Sequence, residues 1–254
     1  MQISIFLEHL LQAHEQSGKS IEEVFSFAKK CGIDAIETNA SFLSSNPDLQ
    51  NKLLAANLSV NQLYENYNWE DFDNDCKMKN HIETAKKLGA KIILFIPPYF
   101  SNQDKETIQN EKEKVKIMIK KICTMAKASG ITVTMEDFDN LQNPSSKICY
   151  LEEYIKEIPE LMFTFDIGNF LANGEEVINA YPIFKDRIVN VHCKDRLSDV
   201  SSCATGTGII PFKTIISNLK EINYNGNYTI EHFDIDNQLE AMEKSAKFLK
   251  DFKN

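Results

Sequence analysis

The sequence lacks any long apolar run, and no stretch of ~18 uncharged apolar residues that could cross a membrane occurs in it. Its first residues also lack the basic segment and long apolar core that a secretory signal peptide requires. We therefore expect a cytoplasmic protein that does not bind membranes.

Positive charge is in the minority, because 28 Lys and Arg residues stand against 37 Asp and Glu residues and the net charge is -9. An acidic chain repels the phosphate backbone of a nucleic acid, so a broad basic binding surface is not expected. The composition therefore predicts that nucleic acids are not partners of this protein.

Cysteine pairs of the Cys-x-x-Cys type are absent, although the chain has six cysteines. In a chain of this length without a secretory signal, isolated cysteines are typical of reduced thiols rather than of disulfides or zinc-thiolate sites. The six residues are Cys31, Cys76, Cys123, Cys149, Cys193 and Cys203. We expect them to be buried in helices and strands as free thiols.

Linkers, low-complexity tracts and changes of composition are also absent, so we expect a single domain over residues 1–254. Hydrophobic residues make up 43% of the chain, which is enough for one large core. Short apolar runs recur along the chain and lack a clean apolar–polar alternation, which is typical of parallel strands covered on both faces. The predicted strands are residues 3–6, 35–37, 58–63, 91–96, 131–136, 162–166, 188–192 and 228–231.

Amphipathic helical stretches separate these runs. Ser20 and Glu23 form a capping-box pattern at the start of one predicted helix, and residues 75–88 and 105–129 are predicted as two others. Strands that alternate with helices indicate a parallel α/β protein, which can be a closed barrel or an open doubly wound sheet. No G-x-G-x-x-G motif follows the first strand, and polar residues cluster at one end of the strands. Both observations favour a (β/α)8 TIM barrel.

Four consecutive predicted strands end in a residue that can bind a metal: Glu136, Asp166, His192 and Glu231. One such residue could simply cap the following helix. In a barrel, however, the carboxyl ends of the strands meet at one rim, where catalytic residues are usually found. Three carboxylates placed that close together repel one another unless a cation is bound between them. Oxygen ligands with one nitrogen suit Mn2+ or Mg2+ and tolerate Co2+ or Zn2+, so we predict one divalent metal ion.

The motif order resembles that of the sugar phosphate isomerase/epimerase family, the xylose isomerase-like TIM barrels. The resemblance rests on Glu136, residues 166–169, residues 192–195, residues 206–208 and Glu231. It implies a metal-dependent isomerase or epimerase that acts on a sugar or sugar-like polyol ketone through an enediolate. It further implies that the four ligands hold Mn2+ or a similar ion, that the two glutamates are the acid/base pair, and that the protein forms a homodimer or homotetramer.

Four further residues are candidates for contact with a carbohydrate substrate. Glu37 ends the second strand, where the family often has a glutamate that contacts substrate or orients a ligand; a helix cap is the alternative. Asn169 stands where many epimerases have a histidine that touches the substrate. Lys194 shares a strand face with His192 and could hold an anionic group or a substrate oxygen. The alternative for Lys194 is a surface pair with Asp195. His9 follows the first strand at the predicted rim.

The turn at residues 206–208 could present backbone N–H groups to an oxyanion, or could simply begin the next helix. The family usually has glutamate where this chain has Thr207. The ketose 3-epimerases also carry an arginine past the metal histidine, and here Ser198 falls near that place while Arg196 is offset. These departures leave the subfamily open.

Other functions remain open on the same residues. A dehydratase of inosose-like substrates would use the same metal site and the same enediolate chemistry. A sugar-binding barrel could retain the site without turnover, but the presence of both glutamates argues against this alternative. An endonuclease IV-like nuclease uses three zinc ions and more histidines than the five in this chain, so that alternative is disfavoured.

Overall fold

Eight parallel strands close into a barrel in the computed structural model, which describes residues 1–252. Each predicted strand coincides with a strand of this barrel. The strands are β1 (Gln2–Phe6), β2 (Ala35–Asn39), β3 (Ser59–Asn66), β4 (Ile92–Ile96), β5 (Thr132–Glu136), β6 (Met162–Asp166), β7 (Ile188–Arg196) and β9 (Asn227–Glu231). Neighbours pair in the order β6-β5-β4-β3-β2-β1-β9-β7, and pairing of β6 with β7 closes the ring. The predicted (β/α)8 TIM barrel is therefore confirmed.

Helices surround the barrel. They are α1 (Leu7–Ser17), α2 (Ile21–Lys30), α3 (Ala40–Ser44), α4 (Pro47–Ala55), α5 (Cys76–Leu88), α6 (Lys105–Lys127), α7 (Ile148–Glu157), α8 (Asn169–Ala172), α9 (Val177–Phe184), α10 (Phe212–Glu221) and α11 (Gln238–Asp251). The capping box is confirmed, since the Glu23 amide donates to Ser20 Oγ at 3.2 Å and the Ser20 amide donates to Glu23 Oε2 at 2.8 Å. Across residues 1–252, no helix combines the length and apolarity needed to cross a membrane.

The two faces of the barrel strands differ in chemistry. The face toward the helices is apolar, with Ile36, Phe95 and Phe165 among its buried residues. The inner face is polar at mid-height, where the hydroxyls of Ser4 and Thr229 lie 2.8 Å apart. This polar layer lies below the carboxyl ends of the strands and provides hydrogen-bond partners for the groups above it.

Strand β7 is longer than predicted, because the sequence pattern placed its end at residue 192. It continues to Arg196 by pairing in antiparallel fashion with a two-residue strand, β8 (Ser202–Cys203), which the sequence did not reveal. Successive residues of a strand alternate between its faces, so His192, Lys194 and Arg196 share one face. All six cysteines are free, as expected, but the expected burial holds only for Cys123 and Cys193. Cys31 and Cys203 are half-buried, and Cys76 and Cys149 are exposed.

Candidate metal centre and its cavity

The carboxyl ends of β5, β6 and β7 bring Glu136, Asp166 and His192 together in the barrel mouth. One ligand atom from each of them lies within 4.8 Å of the others, and all three residues are buried. Glu231, at the end of β9, joins them, since its Oε2 lies 3.2 Å from His192 Nδ1. Glu136 Oε2 lies 2.8 Å from the same nitrogen. The four residues predicted from the sequence therefore cluster around one imidazole nitrogen.

Three atoms of this cluster are buried and make no hydrogen bond of good geometry, although His192 Nδ1 is close to both glutamates: Asp166 Oδ2, His192 Nδ1 and Glu231 Oε2. Buried polar atoms almost always make well-directed hydrogen bonds, so three such atoms at one point are typical of a site that binds an ion. The other oxygen of Asp166 is held in place by the amides of Gly168 at 2.7 Å and Asn169 at 2.9 Å. The donor set of carboxylate oxygens and one imidazole fits a divalent metal ion.

The electrostatics of the cluster follow from its burial. Desolvation raises the pKa of the Glu136 carboxyl and raises that of Asp166 well above its ordinary value. Burial alone would lower the pKa of His192, but the negative charges of Glu37 and Glu136 hold it well above its usual range. Burial opposes the charge on Glu231 as well, yet the nearby Lys194 ammonium keeps the pKa of Glu231 below its ordinary value. Without metal, the cluster therefore retains protons that a cation must displace.

Proton release gives the metal affinity a predictable pH dependence. Because the pKa values of His192, Glu136 and Asp166 are raised in the metal-free centre, these groups hold protons below their raised pKa values and compete with the cation. We expect affinity for Mn2+ to rise with pH, by about tenfold per pH unit for each proton displaced. Calorimetric titrations in buffers of different ionisation enthalpy will count the protons, and an affinity that is constant between pH 5 and 8 contradicts the prediction.

Glu37 binds the imidazole of His192 at Nε2, the ring nitrogen that does not face the other ligands. Its carboxylate accepts from His192 Nε2 at 3.0 Å, from Gln62 Nε2 at 2.7 Å and from Asn190 Nδ2 at 3.2 Å. The residue is fully buried and is absent from the cavity lining. The geometry therefore matches the orientation of a ligand, whereas the predicted contact of Glu37 with a substrate and the alternative of a helix cap do not fit this position. A carboxylate on the far nitrogen directs Nδ1 of the imidazole toward the cluster.

Replacing Glu37 with glutamine tests that contact. The Glu37→Gln variant keeps the shape of the side chain but loses its charge, so we expect Mn2+ affinity to fall about 10- to 100-fold. Isothermal titration of metal-free protein measures the change. Glu65→Gln is the matched control, because Glu65 is a buried glutamate of β3 that bonds Ser41 instead of the cluster. Equal affinities in wild type and Glu37→Gln rule out the orienting contact.

A cavity of about 570 Å3 opens above the cluster, with Glu136 and Glu231 in its wall. Its lining contains both polar and apolar side chains. The polar side chains are Tyr64, Asn66, Asp139, Asn169, Lys194, Arg196, Ser201, Ser202 and Asp234. The apolar ones are Phe6, Leu94, Ile96, Phe138, Val200 and Phe233. A volume of this size accommodates a small organic ligand, since ligand pockets usually measure about 300–1,000 Å3.

Lys194 and Asn169 both line this cavity. Lys194 Nζ donates to Glu231 Oε1 at 2.8 Å and lies 3.4 Å from Asp139 Oδ2. The lysine side chain is only 8% exposed, so it is not the surface partner of Asp195 that was considered as the alternative. Asn169 Nδ2 donates to the Asp137 carbonyl at 2.9 Å, which fixes its amide beside Asp166.

His9 lies outside the cavity. It belongs to α1, which begins directly after β1, and it is not among the residues that line the cavity. The ring is fully buried, stacks on His232 with ring centroids 4.6 Å apart, and accepts the His232 amide on Nε2 at 3.0 Å. The predicted contact between His9 and a substrate does not fit this position, and the residue instead braces the backbone next to Glu231.

The turn at residues 206–208 does not offer free amides to an oxyanion. The amides of Gly206 and Gly208 each donate to Asp195 Oδ2 at 2.8 Å. Asp195 is fully buried, and its other oxygen accepts from the amides of Arg196 and Ile210. The amides that could bind an oxyanion are therefore already bound to the carboxylate of Asp195, and the interpretation of this turn as an oxyanion site was wrong.

Two cavity residues, Asp139 and Arg196, were not among the predicted site residues. Arg196 Nη2 donates to Asp139 Oδ2 at 2.7 Å and to Asn169 Oδ1 at 3.0 Å. For Arg196 a signal existed, because it follows His192 and Lys194 at the two-residue period of β7. Asp139 lies in the loop after β5, where no periodicity applies.

The closed barrel and its buried carboxylate–imidazole cluster define the class of this protein. Residues 25–252 match the model of the family described as "Xylose isomerase-like TIM barrel", and the chain belongs to that family. The resemblance inferred from the motifs is thereby confirmed.

Among curated proteins, the chain is similar to L-ribulose-5-phosphate 3-epimerase UlaE of Salmonella paratyphi C, with 28% identity over 158 residues. The aligned segment covers 61% of this chain and 54% of the epimerase, so the chain matches little more than half the length of that relative.

Two solved structures extend the likeness in fold over nearly the whole chain. The structure of the IOLI protein with a bound zinc atom has a TM-score of 0.80 at 19% identity and covers 99% of this chain and 98% of that one. The probable 3-DHS dehydratase AsbF of Bacillus anthracis has a TM-score of 0.78 at 15% identity, and the match covers 98% of this chain and 99% of that one. At these identities the likeness shows the fold alone.

Proposed function

We propose that the protein is a metal-dependent isomerase or epimerase of a sugar or sugar-like polyol ketone, which transfers a proton through an enediolate between Glu136 and Glu231. One observation supports this above all. The two carboxylates lie 2.8 Å and 3.2 Å from the same atom, His192 Nδ1, and both line the cavity. A substrate held over the cluster would thus be next to both carboxylates.

The proposed ligands are Glu136, Asp166, His192 and Glu231, with Mn2+ as the preferred ion and Mg2+, Co2+ or Zn2+ as substitutes. A divalent ion bound there supplies the Lewis acidity that polarises a substrate carbonyl and acidifies the adjacent C–H. Asp166 and His192 act only as ligands in this proposal. The name of the IOLI structure, which reports zinc, supports a divalent ion at this kind of site.

The glutamates divide the proton transfer. A carboxylate that removes a proton must be within hydrogen-bond reach of it and must be ionised. Glu231 is suited to the first step, because the ammonium of Lys194 lies 2.8 Å from its Oε1 and stabilises the charge. Glu136 enters the reaction protonated and donates its own proton, to the neighbouring carbon in an isomerase or to the opposite face of the same carbon in an epimerase. The proton taken by Glu231 passes to solvent, from which Glu136 is protonated again.

Lys194 and Asn169 complete the proposal as substrate-binding residues. Both line the cavity beside the two glutamates. The name of the epimerase relative, which acts on a ketose phosphate, supports a ketose as the substrate class, since the two chains share 28% identity over the matched segment. The apolar residues of the lining, which include Phe6 and Phe233, suit the C–H face of a polyol chain.

Solvent-deuterium exchange tests the function directly. Mn2+-loaded protein is incubated in D2O with a panel of ketoses and inososes, and mass spectrometry follows deuterium at carbon. We expect exchange with at least one ketose and none after chelation of the metal. Exchange accompanied by loss of water identifies a dehydratase instead. Metal binding without exchange for any member of the panel contradicts the proposal and favours a non-catalytic sugar-binding barrel.

A further inference from the structure

The cationic groups of the cavity are already paired with carboxylates of the chain. Lys194 Nζ lies 2.8 Å from Glu231 Oε1 and 3.4 Å from Asp139 Oδ2, and Arg196 Nη2 lies 2.7 Å from the same Asp139 oxygen. Asp234 adds a further carboxylate to the lining. The lining therefore holds four carboxylates and two cations, and a divalent ion at the cluster would also be held by the carboxylate of Asp166.

Arg196 has almost no hydrogen-bonding capacity left. Its Nε donates to the Gly168 carbonyl at 2.9 Å and its Nη1 to the Val200 carbonyl at 2.7 Å, while Nη2 donates to Asp139 and Asn169. Recognition of a phosphate by arginine depends on paired N–H groups that face the anion. Here those N–H groups face inward, so the guanidinium holds three loops together instead of facing a ligand.

Backbone amides are the other usual ligands of phosphate, and here they already donate hydrogen bonds to carboxylates of the chain. The amides of Gly206 and Gly208 are bound by Asp195, and the amides of Gly168 and Asn169 are bound by Asp166. Each anion-binding element described at this end of the barrel thus already carries a carboxylate of the chain. A phosphate ester would have to displace one of them.

We propose that the cavity takes an uncharged sugar or polyol ketone rather than its phosphate ester, and that Asp139 is the specificity-determining residue. The inference rests on the proposed function and narrows its substrate class. A phosphate group carries about -1.5 to -2 charge at neutral pH, and like charges placed together at a binding site are strongly unfavourable. Asp139 disfavours the ester in two ways. It pairs with both cations of the cavity, Lys194 and Arg196, and it adds a negative charge of its own.

Matched pairs of substrates test this inference. Deuterium exchange is compared for D-fructose with D-fructose 6-phosphate and for D-tagatose with D-tagatose 6-phosphate, in the Mn2+-loaded wild type and in Asp139→Asn. We expect kcat/KM for the free ketose to exceed that for the ester by about tenfold or more, and the ratio to fall by about tenfold in Asp139→Asn. Asp234→Asn is the matched control: it removes a cavity charge without freeing Lys194 or Arg196, and should change the ratio less.

The asparagine retains an oxygen for Arg196, so the loops should stay in place, and the thermal unfolding midpoint checks this. If Asp139→Asn is unstable, Asp139→Ser removes the same charge with a smaller side chain. A wild-type preference for the phosphate esters overturns the inference, and a ratio unaffected by either substitution removes Asp139 as its cause.

A binding measurement separates this inference from the proposed function. Calorimetry compares D-sorbitol with D-sorbitol 6-phosphate, neither of which can undergo the reaction. Tighter binding of sorbitol without exchange of any ketose means that the proposed function is wrong and the inference stands. Exchange of ketoses together with tighter binding of sorbitol 6-phosphate means that the proposed function stands and the inference is wrong. Binding of neither polyol, without exchange, overturns both.

Discussion

The Glu231→Gln variant should exchange substrate protons with solvent about a thousandfold more slowly than wild type. Its amide keeps the shape of the side chain but cannot accept a proton from carbon, and general acid–base catalysis contributes about 10²- to 10⁴-fold. Glu136→Gln should slow the formation of product by a similar factor, because the reaction is completed by proton donation from the second carboxylate. With saturating Mn2+, single-turnover deuterium exchange measures Glu231→Gln and product formation measures Glu136→Gln.

Glu111→Gln is the control for these substitutions. Glu111 is a buried glutamate of α6 that bonds Ser101, and it does not line the cavity. We expect it to retain wild-type exchange. Wild-type rates in Glu136→Gln or Glu231→Gln would exclude that residue from the proton transfer. A variant that loses bound Mn2+ as well as exchange has lost a ligand, so metal content is measured on every sample.

The His192→Ala variant should bind Mn2+ at least about a hundredfold more weakly than wild type, which we expect to hold one ion per chain. His192 Nδ1 is the atom around which Glu136 and Glu231 lie, at 2.8 Å and 3.2 Å. Its loss leaves three buried carboxylates facing one another without a nitrogen donor, and it also removes the partner of Glu37. Elemental analysis and calorimetric titration give the stoichiometry and the affinity.

His81→Ala is the matched control for a buried imidazole. His81 is fully buried in α5, bonds the Tyr67 hydroxyl at 3.0 Å, and lies outside the cluster. Its loss should lower stability but leave metal affinity intact. The prediction fails if His192→Ala binds Mn2+ as tightly as wild type. It also fails if wild-type protein never exposed to chelator carries no ion in Mn2+-containing buffer.

The sequence was sufficient to predict the barrel and the position of its cluster. Apolar runs without alternation identify buried parallel strands, and a strand that ends in Glu136, Asp166, His192 or Glu231 places that side chain at the barrel mouth by topology alone. Both inferences need only the periodicity of the chain and the geometry of a closed parallel sheet. No three-dimensional contact has to be known in advance.

The contacts that surround the cluster were less predictable, since they join residues far apart in the chain. Glu37 reaches His192 across 155 positions, and nothing local distinguishes it from a helix cap. His9 lies at the predicted end of the barrel, but it stacks on His232 and does not line the cavity. Asp139 lies in a loop, and only its ion pair with Arg196 reveals its position in the cavity.

The buried carboxylate of Asp195 has a consequence for binding energetics. By accepting the amides of Gly206, Gly208 and Ile210, it fixes the segment between β8 and α10 before any ligand arrives. A segment that becomes ordered only on binding loses conformational entropy at that moment, which weakens affinity by about 1–2 kcal/mol per residue ordered. This segment instead loses its entropy when the chain folds, so the backbone that follows β8 is already ordered, and none of the free energy of ligand binding is spent on ordering it.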